Sequence, residues 1–298
     1  MNITLFNPTP TDSRMEKWGD FHFGRSLTKY LERENFNVST MYNGQWEQAP
    51  QSDVSLVLRG KYPHTFLPET TGLKIMWVIS HPDDVSRDEL AQFDLVYVAS
   101  STLAQEWQRF QEKPVKLLLQ CTDPEEFRQP SQQVRRDIVF IGNTRGQSRE
   151  VVIKAHAMGL KPKIWGRGWE QFPEAPPIVS EYIDNRELGA LYGRSRLTLN
   201  DHWPDMIRHG FVNNRVFDAL ACGLPILSDA NPGLDELKLP GVMTYNNDAS
   251  FTDAVSRYWL QYPSLLQAAA SARELVVEKY SFGQRAKTIA EDIAQLRN

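Results

Sequence analysis

The sequence predicts an α/β protein made of two parallel-sheet domains. Three observations carry that prediction. Short apolar, β-rich runs alternate with longer amphipathic segments. The alternation breaks once, in a stretch rich in proline, glutamine and charge, and then starts again. The chain, at 298 residues, is long enough for two domains of ordinary size.

The first series opens with "ITLF" and the helix-like "FHFGRSLTKYLERE". It continues through "FNVSTMY", "DVSLVLR", "LKIMWVIS" and "FDLVYVAS", the amphipathic "STLAQEWQRFQE", and "VKLLLQ". Near-continuous Val, Ile and Leu runs of this length fit strands covered on both faces, as in parallel sheets. Residues 1–125 are therefore read as one Rossmann-like domain. The run "CTDPEEFRQPSQQVRRD" lacks either hydrophobic period, which places the interdomain connection at about 121–135.

A second Rossmann-like domain is expected over 136–298. Its strands are "DIVFIGN", "KPKIWG", "RLTLN", "LPILSD" and "GVMTY", with helices near 148–159, 185–194 and 212–221. From Phe251 the chain reads as two or three terminal helices, candidates to cross back to the first domain. Open parallel sheets bind ligands beyond the carboxyl ends of their strands, so two in tandem are expected to face a central cleft, one substrate held by each half.

Composition narrows the function. Hydrophobic residues at 41% and charged residues at 23% are ordinary for a folded soluble protein. A net charge of -4 argues against nucleic acid as a partner, because phosphate backbones are bound by basic surfaces. Cys121 and Cys222 are too few and too far apart for a metal site or a disulfide framework, and are expected as reduced, buried thiols. No signal-peptide pattern opens the chain and no run approaches the roughly 20 apolar residues that span a bilayer, so a cytoplasmic location is expected. Peripheral membrane contact through exposed Trp, Tyr or Arg stays open.

The residues with chemical potential gather at strand ends and helix starts. In "VNNRVFDALACGLPILSD", Asn213, Asn214 and Arg215 open a helix whose Val216, Phe217 and Leu220 pack inward, while Asn214 and Asp218 share a face at i, i+4. A helix start offers unpaired N–H groups, and Arg215 adds a guanidinium that can grip phosphate with two donors. Asp218 is placed to accept hydrogen bonds from ribose hydroxyls. The competing structural reading is a helix cap plus a solvated Arg–Asp pair.

"DIVFIGNTRGQSRE" runs from a strand into a glycine turn with Asn143, Arg145 and Arg149. It has neither the G-x-G-x-x-G nor the P-loop lysine pattern, which leaves a looser diphosphate cradle or a turn capped by Thr144 and Gln147. "IWGRGW" flanks Arg167 with Gly166 and Gly168, allowing close backbone approach, and supplies Trp165 and Trp169 for stacking. "LTLNDHW" ends a strand in Asn200, Asp201 and His202. In the first half, Asp20 and His22 start a helix, Arg59 ends a strand, and "WVISHPDDVS" ends one in His81, Asp83 and Asp84; all are expected at one rim. Asp20, His22 and Asp83 are the candidates for a general base toward an acceptor hydroxyl. Against this, Asp83 and Asp84 also suit a helix's first turn, and Ser86 with Glu89 suits a capping box. No second ligand cluster accompanies "HPDD", so no metal is expected.

Taken in order, "WVISHPDDVS", "LLLQCTDPEEFRQP", "FIGNTRG", "IWGRGW", "LTLNDHW" and "NNRVFDALACGLPILSD" resemble the GT-B glycosyltransferases of the "glycosyl transferases group 1" set, specifically its CgeB-like, spore-maturation branch. The resemblance spans about residues 75–235. It implies transfer of a sugar from a nucleoside-diphosphate sugar, UDP- or GDP-linked, to a hydroxyl of a glycan or lipid-linked glycan in cell-surface polysaccharide synthesis, with no cofactor required. The donor would lie in the second domain with Arg215 on the diphosphate and Asp218 on the ribose, and the acceptor in the first. The pattern departs at Gly210, where many retaining relatives carry the first acid of Glu-x7-Glu, so retention or inversion is undecided. A nucleotide-sugar epimerase or hydrolase and a noncatalytic sugar-nucleotide or glycan-binding module are the alternatives.

Overall fold

The computed structural model describes residues 1–64, 72–128 and 134–297. Part of the expected interdomain connection, 129–133, lies outside the described residues. In chain order the elements begin with β1 (Asn2–Pro10), α1 (Gly19–Arg33), β2 (Asn37–Asn43), β3 (Val54–Arg59), β4 (Leu73–Val78), α2 (Arg87–Ala91), β5 (Leu95–Val98), α3 (Ser101–Gln108) and β6 (Val115–Leu117). They continue with β7 (Asp137–Ile141), α4 (Glu150–Ala157), β8 (Lys163–Trp165), β9 (Ile178–Ser180), α5 (Asn185–Arg194), β10 (Ser195–Asn200), α6 (Pro204–His209) and α7 (Asn214–Ala221). The last are β11 (Ile226–Asp229), α8 (Pro232–Leu237), β12 (Val242–Tyr245), α9 (Asp248–Leu260), α10 (Tyr262–Lys279) and α11 (Phe282–Arg297). Two six-stranded sheets result, parallel throughout the described pairings, which is the α/β class the sequence predicts.

The first unit comprises Met1–Cys121, Trp203–Asn213 and Tyr280–Asn298, around a sheet of order β2-β1-β3-β4-β5-β6. Successive strand residues go to opposite faces, so each apolar run serves two cores. Leu56, Leu58, Ile75, Trp77 and Leu95 join α1 and the α11 side chains Phe282, Ile289 and Ile293 on one face. Val57, Met76, Val78, Val96 and Val98 join Leu103 and Trp107 of α3 on the other. Polar ties hold α11 there: Tyr97 donates to Asp292 at 2.7 Å and Arg285 Nε to the Leu119 carbonyl at 2.7 Å.

Trp203–Asn213 was not separable from the second domain by sequence, yet it belongs to this first unit. Met206 and Phe211 are buried in its core and the Ser100 hydroxyl donates to the His209 carbonyl.

The second unit comprises Thr122–His202 and Asn214–Lys279, around a sheet of order β12-β11-β10-β7-β8-β9. From β7 the chain walks outward to β8 and β9, then returns to lay β10 on the other side of β7. The switch point therefore falls between β7 and β10, where an open sheet offers a crevice. α7 stops because Gly223 takes the left-handed conformation (φ +60°) and Pro225 follows, and Arg135 donates to the Cys222 carbonyl at the helix end at 2.8 Å. Both cysteines are free and buried. Among the described residues no helix is long and apolar enough to cross a membrane.

Candidate functional site

At the switch point of the second sheet, β7 runs into Gly142 and β10 into Asn200 and Asp201. Arg149, just before α4, and Arg215, in the first turn of α7, both lie over the ring of Phe140, 5.4 and 5.5 Å from its centroid. Arg149 is ion-paired with Asp201, and Arg215 Nη1 lies 3.9 Å from the same carboxylate oxygen. Two guanidiniums thus share one carboxylate. Burial lowers the pKa of Arg149, Asp201 works against that, and the charge of Arg215 adds to it. The Arg149 Nε is buried and has no hydrogen-bond partner among the described residues. An anion with several acceptor oxygens is the chemistry such a pair favours.

Arg215 is held further. Its Nη1 donates to Asn200 Oδ1 at 3.0 Å, and Asn200 Nδ2 donates to the Ser228 hydroxyl at 3.0 Å. That hydroxyl donates to Asp229 Oδ1 at 3.0 Å, and Asp229 also accepts from the His202 backbone N–H at 2.8 Å and from its ring Nδ1 at 2.6 Å. Burial would raise Asp229, but the His202 charge and the hydrogen bonds from His202 and Ser228 outweigh it and hold the carboxyl below its ordinary range.

Beside this cluster, the loops after β7 and β8 are zipped together. Gly142 N–H donates to the Trp165 carbonyl at 2.8 Å, Thr144 N–H to the Arg167 carbonyl at 3.0 Å, and Arg167 N–H to Asn143 Oδ1 at 2.8 Å. Gly166 (φ +157°) is required here, because a Cβ would stand 2.1 Å from the Gly142 carbonyl oxygen. Asn143 thus joins the two loops, while Arg145 sits exposed at a left-handed position (φ +60°). Trp169 is buried edge-on against Phe140 at 5.6 Å, so it packs the core under the site and is no stacking platform. The expected cap by Thr144 and Gln147 does not form at the helix: α4 begins at Glu150, with no side-chain bond from its N-cap Arg149.

Asn214 and Asp218 come together on α7 as their spacing predicts, Asn214 Nδ2 donating to Asp218 Oδ2 at 3.1 Å. Asp218 is buried, and burial first, then the negative charges of Glu126 and Asp123, pushes its carboxyl well above the ordinary range. Asn213 belongs to the first unit, apart from the grouping of Asn214 and Arg215.

The first-unit candidates are engaged within that unit. The Asp20 carboxylate lies against Gly60, at the end of β3, where an added Cβ would come within 2.9 Å of its Oδ2. His22 Nε2 is 2.6 Å from the Glu16 carbonyl. Asp83, beyond β4, accepts from His209 Nε2 at 2.8 Å and from Arg208. His81 precedes it in a left-handed conformation (φ +53°), its ring 5.3 Å from Trp203. Arg59 corrects the sequence reading. It does not reach the rim but is wholly buried, donating to both Glu89 oxygens at 2.7 and 3.3 Å and to the carbonyls of Gly60 and Asp84. Ser86 caps α2 by accepting from Glu89 N–H at 3.0 Å, but the Glu89 side chain turns to Arg59. Among the described residues no group of three or more His, Cys, Asp or Glu side chains is arranged to hold a metal ion.

Solved structures share this architecture along the whole chain. Sucrose-phosphate synthase from Thermosynechococcus elongatus is 12% identical over 99% of this chain and 98% of that one, with a TM-score of 0.70. HepE of Anabaena, solved with UDP and glucose, is 12% identical over 99% and 100%, with a TM-score of 0.65. An alpha-glucosyltransferase solved with UDP and a 13-mer DNA containing an HMU base is 11% identical over 100% of both chains, with a TM-score of 0.69. The fold is that of the GT-B glycosyltransferases. Within it, residues 147–291, which hold Arg149, Asn200 and Arg215, match the family model described as glycosyl transferase-like. No curated protein matches the chain.

Proposed function

We propose that the chain is a glycosyltransferase that takes its sugar from a nucleoside-diphosphate donor, UDP- or GDP-linked, held in the second unit. The observation that carries this reading is the pair Arg149 and Arg215 at the switch point, two guanidiniums with, among the described residues, one ion-paired carboxylate, Asp201. A pyrophosphate supplies the missing negative charge, and as a leaving group it is stabilised there electrostatically. Asn143, Gly166, Arg167, Asn200 and Asn214 complete the donor site, with Arg145 at its outer turn; Asn213, expected there from the sequence, groups with the first unit and is left out. Asp218, kept protonation-prone by burial, can both accept from and donate to ribose oxygens.

The first unit takes the acceptor, a glycan or lipid-linked glycan in polysaccharide synthesis, with Asp20, His22 or Asp83 as base. A net charge of -4 favours a glycan over the nucleic acid held by one neighbour. The order of the motifs ending in "NNRVFDALACGLPILSD" supports the CgeB-like branch. Gly210 ends α6 in a left-handed conformation (φ +71°), so the acid found there in many retaining relatives would be strained.

The test is thermal stabilisation by UDP, GDP, TDP and CMP compounds, followed by Arg215→Ala. At least one diphosphate should raise the melting temperature, and Arg215→Ala should weaken its binding by about ten- to a hundredfold. Unchanged binding in Arg215→Ala removes the donor from this site. Binding without turnover across an acceptor panel overturns the transferase in favour of a noncatalytic module.

A further inference from the structure

The chain of hydrogen bonds behind Arg215 has a direction, and both ends set it: the guanidinium only donates and the carboxylate at the far end only accepts. A carboxylate can only accept. Asp229 Oδ1 therefore takes the one hydroxyl proton of Ser228, across 3.0 Å. Having given that proton away, the Ser228 oxygen can only accept from its other neighbour, so the group of Asn200 facing it at 3.0 Å must be the amide NH2. The opposite end of the Asn200 carboxamide is then its oxygen, which faces Arg215 Nη1 at 3.0 Å. Asn200 and Ser228 are fully buried, so water does not relax the sequence of donors and acceptors.

Removing the charge at position 229 removes the constraint. An amide there can donate to Ser228, freeing the hydroxyl to donate to Asn200. The Asn200 carboxamide is then held with its oxygen toward Arg215 by the guanidinium alone, and is free to turn away from it.

We propose that Asp229, acting through Ser228 and Asn200, is a positioning residue that fixes the Arg215 guanidinium for a diphosphate. The proposal rests on the donor-site reading above. Asp229 touches no substrate in this scheme; its influence on Arg215 passes through two neutral side chains, beside a weaker direct charge effect on Arg149. The His202 ring, whose Nδ1 donates to the same Asp229 oxygen, and its backbone N–H, which donates to the other, lock the carboxylate in place.

The experiment is a double-mutant cycle read by calorimetric titration with UDP, GDP or TDP, whichever stabilises the protein, and with the matching nucleoside. Asp229→Asn and Ser228→Ala should each weaken the diphosphate about tenfold while changing nucleoside affinity by less than about twofold. Ser228→Thr, which keeps the hydroxyl, should retain the diphosphate affinity. In an Arg215→Ala background, Asp229→Asn should add less than about twofold. An equal loss in both backgrounds, or a parallel loss of nucleoside, overturns the proposal, because Asp229 would then act on the fold and not through Arg215. No loss in Asp229→Asn while Arg215→Ala is weakened also overturns it. If Arg215→Ala itself binds as well as the unaltered protein, the donor-site reading has failed instead.

Discussion

In the first unit the arginine that ends β3 is closed in: Arg59 meets both oxygens of Glu89 and two carbonyls, with no surface exposed. In the second unit the arginines at the switch point have, among the described residues, one ion-paired carboxylate between them, and one guanidinium nitrogen of Arg149 is buried there without a hydrogen-bond partner. Both come from the same strand, loop and helix plan. The difference lies in how many acceptors the neighbouring elements return. A matched arginine belongs to the fold, while an under-matched pair keeps attraction in reserve for an incoming anion.

The sharpest way to break this contrast is to remove the arginines in turn. Arg59→Met leaves Glu89 buried without its cation and should cost about 3–5 kcal/mol in urea unfolding. Arg149→Met leaves Asp201 still beside Arg215 and should cost only about 1–2 kcal/mol. Equal losses would erase the distinction between the two sites.

A smaller effect tests the acids. The folded Asp218 carboxyl is raised, by burial and then by Glu126 and Asp123, so its ionisation penalises the fold as pH climbs above the unfolded value of about 3.9 and up to the folded one. Asp218→Asn should therefore gain about 0.5–2 kcal/mol at pH 7 and nothing near pH 3.5. Asp83 has the opposite sign: despite some burial, the His209 hydrogen bond and the Arg208 charge lower it. Its contribution is present above about pH 3.9 and lost as pH falls through the lower folded value. Being exposed, it is worth only about 0.2–1 kcal/mol, so Asp83→Asn should show a slight, salt-sensitive loss at neutral pH. Thermal melts across pH read both signs, and like-signed shifts would contradict them.

Most of the fold is legible because buried parallel strands are written as continuous apolar runs. "DVSLVLR" and "LKIMWVIS" map onto β3 and β4, and the helix expected over 185–194 is α5. β9 is absent from the sequence reading: it is three residues on a sheet edge after two prolines, with Val179 exposed, and it carries no such run. Met206 and Phe211 show the other limit. Their apolar character is plain, but periodicity does not say which core they enter. At the site, Arg149, Asn200 and Arg215 stand out as polar groups at strand ends and helix starts. Arg59 has the same local appearance and differs through Glu89, thirty residues later, and through the Gly60 and Asp84 carbonyls. Ser228 and Asp229 close "LPILSD" as Asn200 closes "RLTLN", a parallel the sequence offers and the motif reading leaves unused.

The excursion Trp203–Asn213 has a practical consequence for dissecting the molecule. The polypeptide changes unit after residues 121, 202, 213 and 279, so gene order and spatial grouping disagree. A fragment cut at 136 would drag Met206 and Phe211 out of the interior they fill and leave them bare. A graft that respects the grouping transplants 122–202 with 214–279 and bridges the excised loop by a short linker.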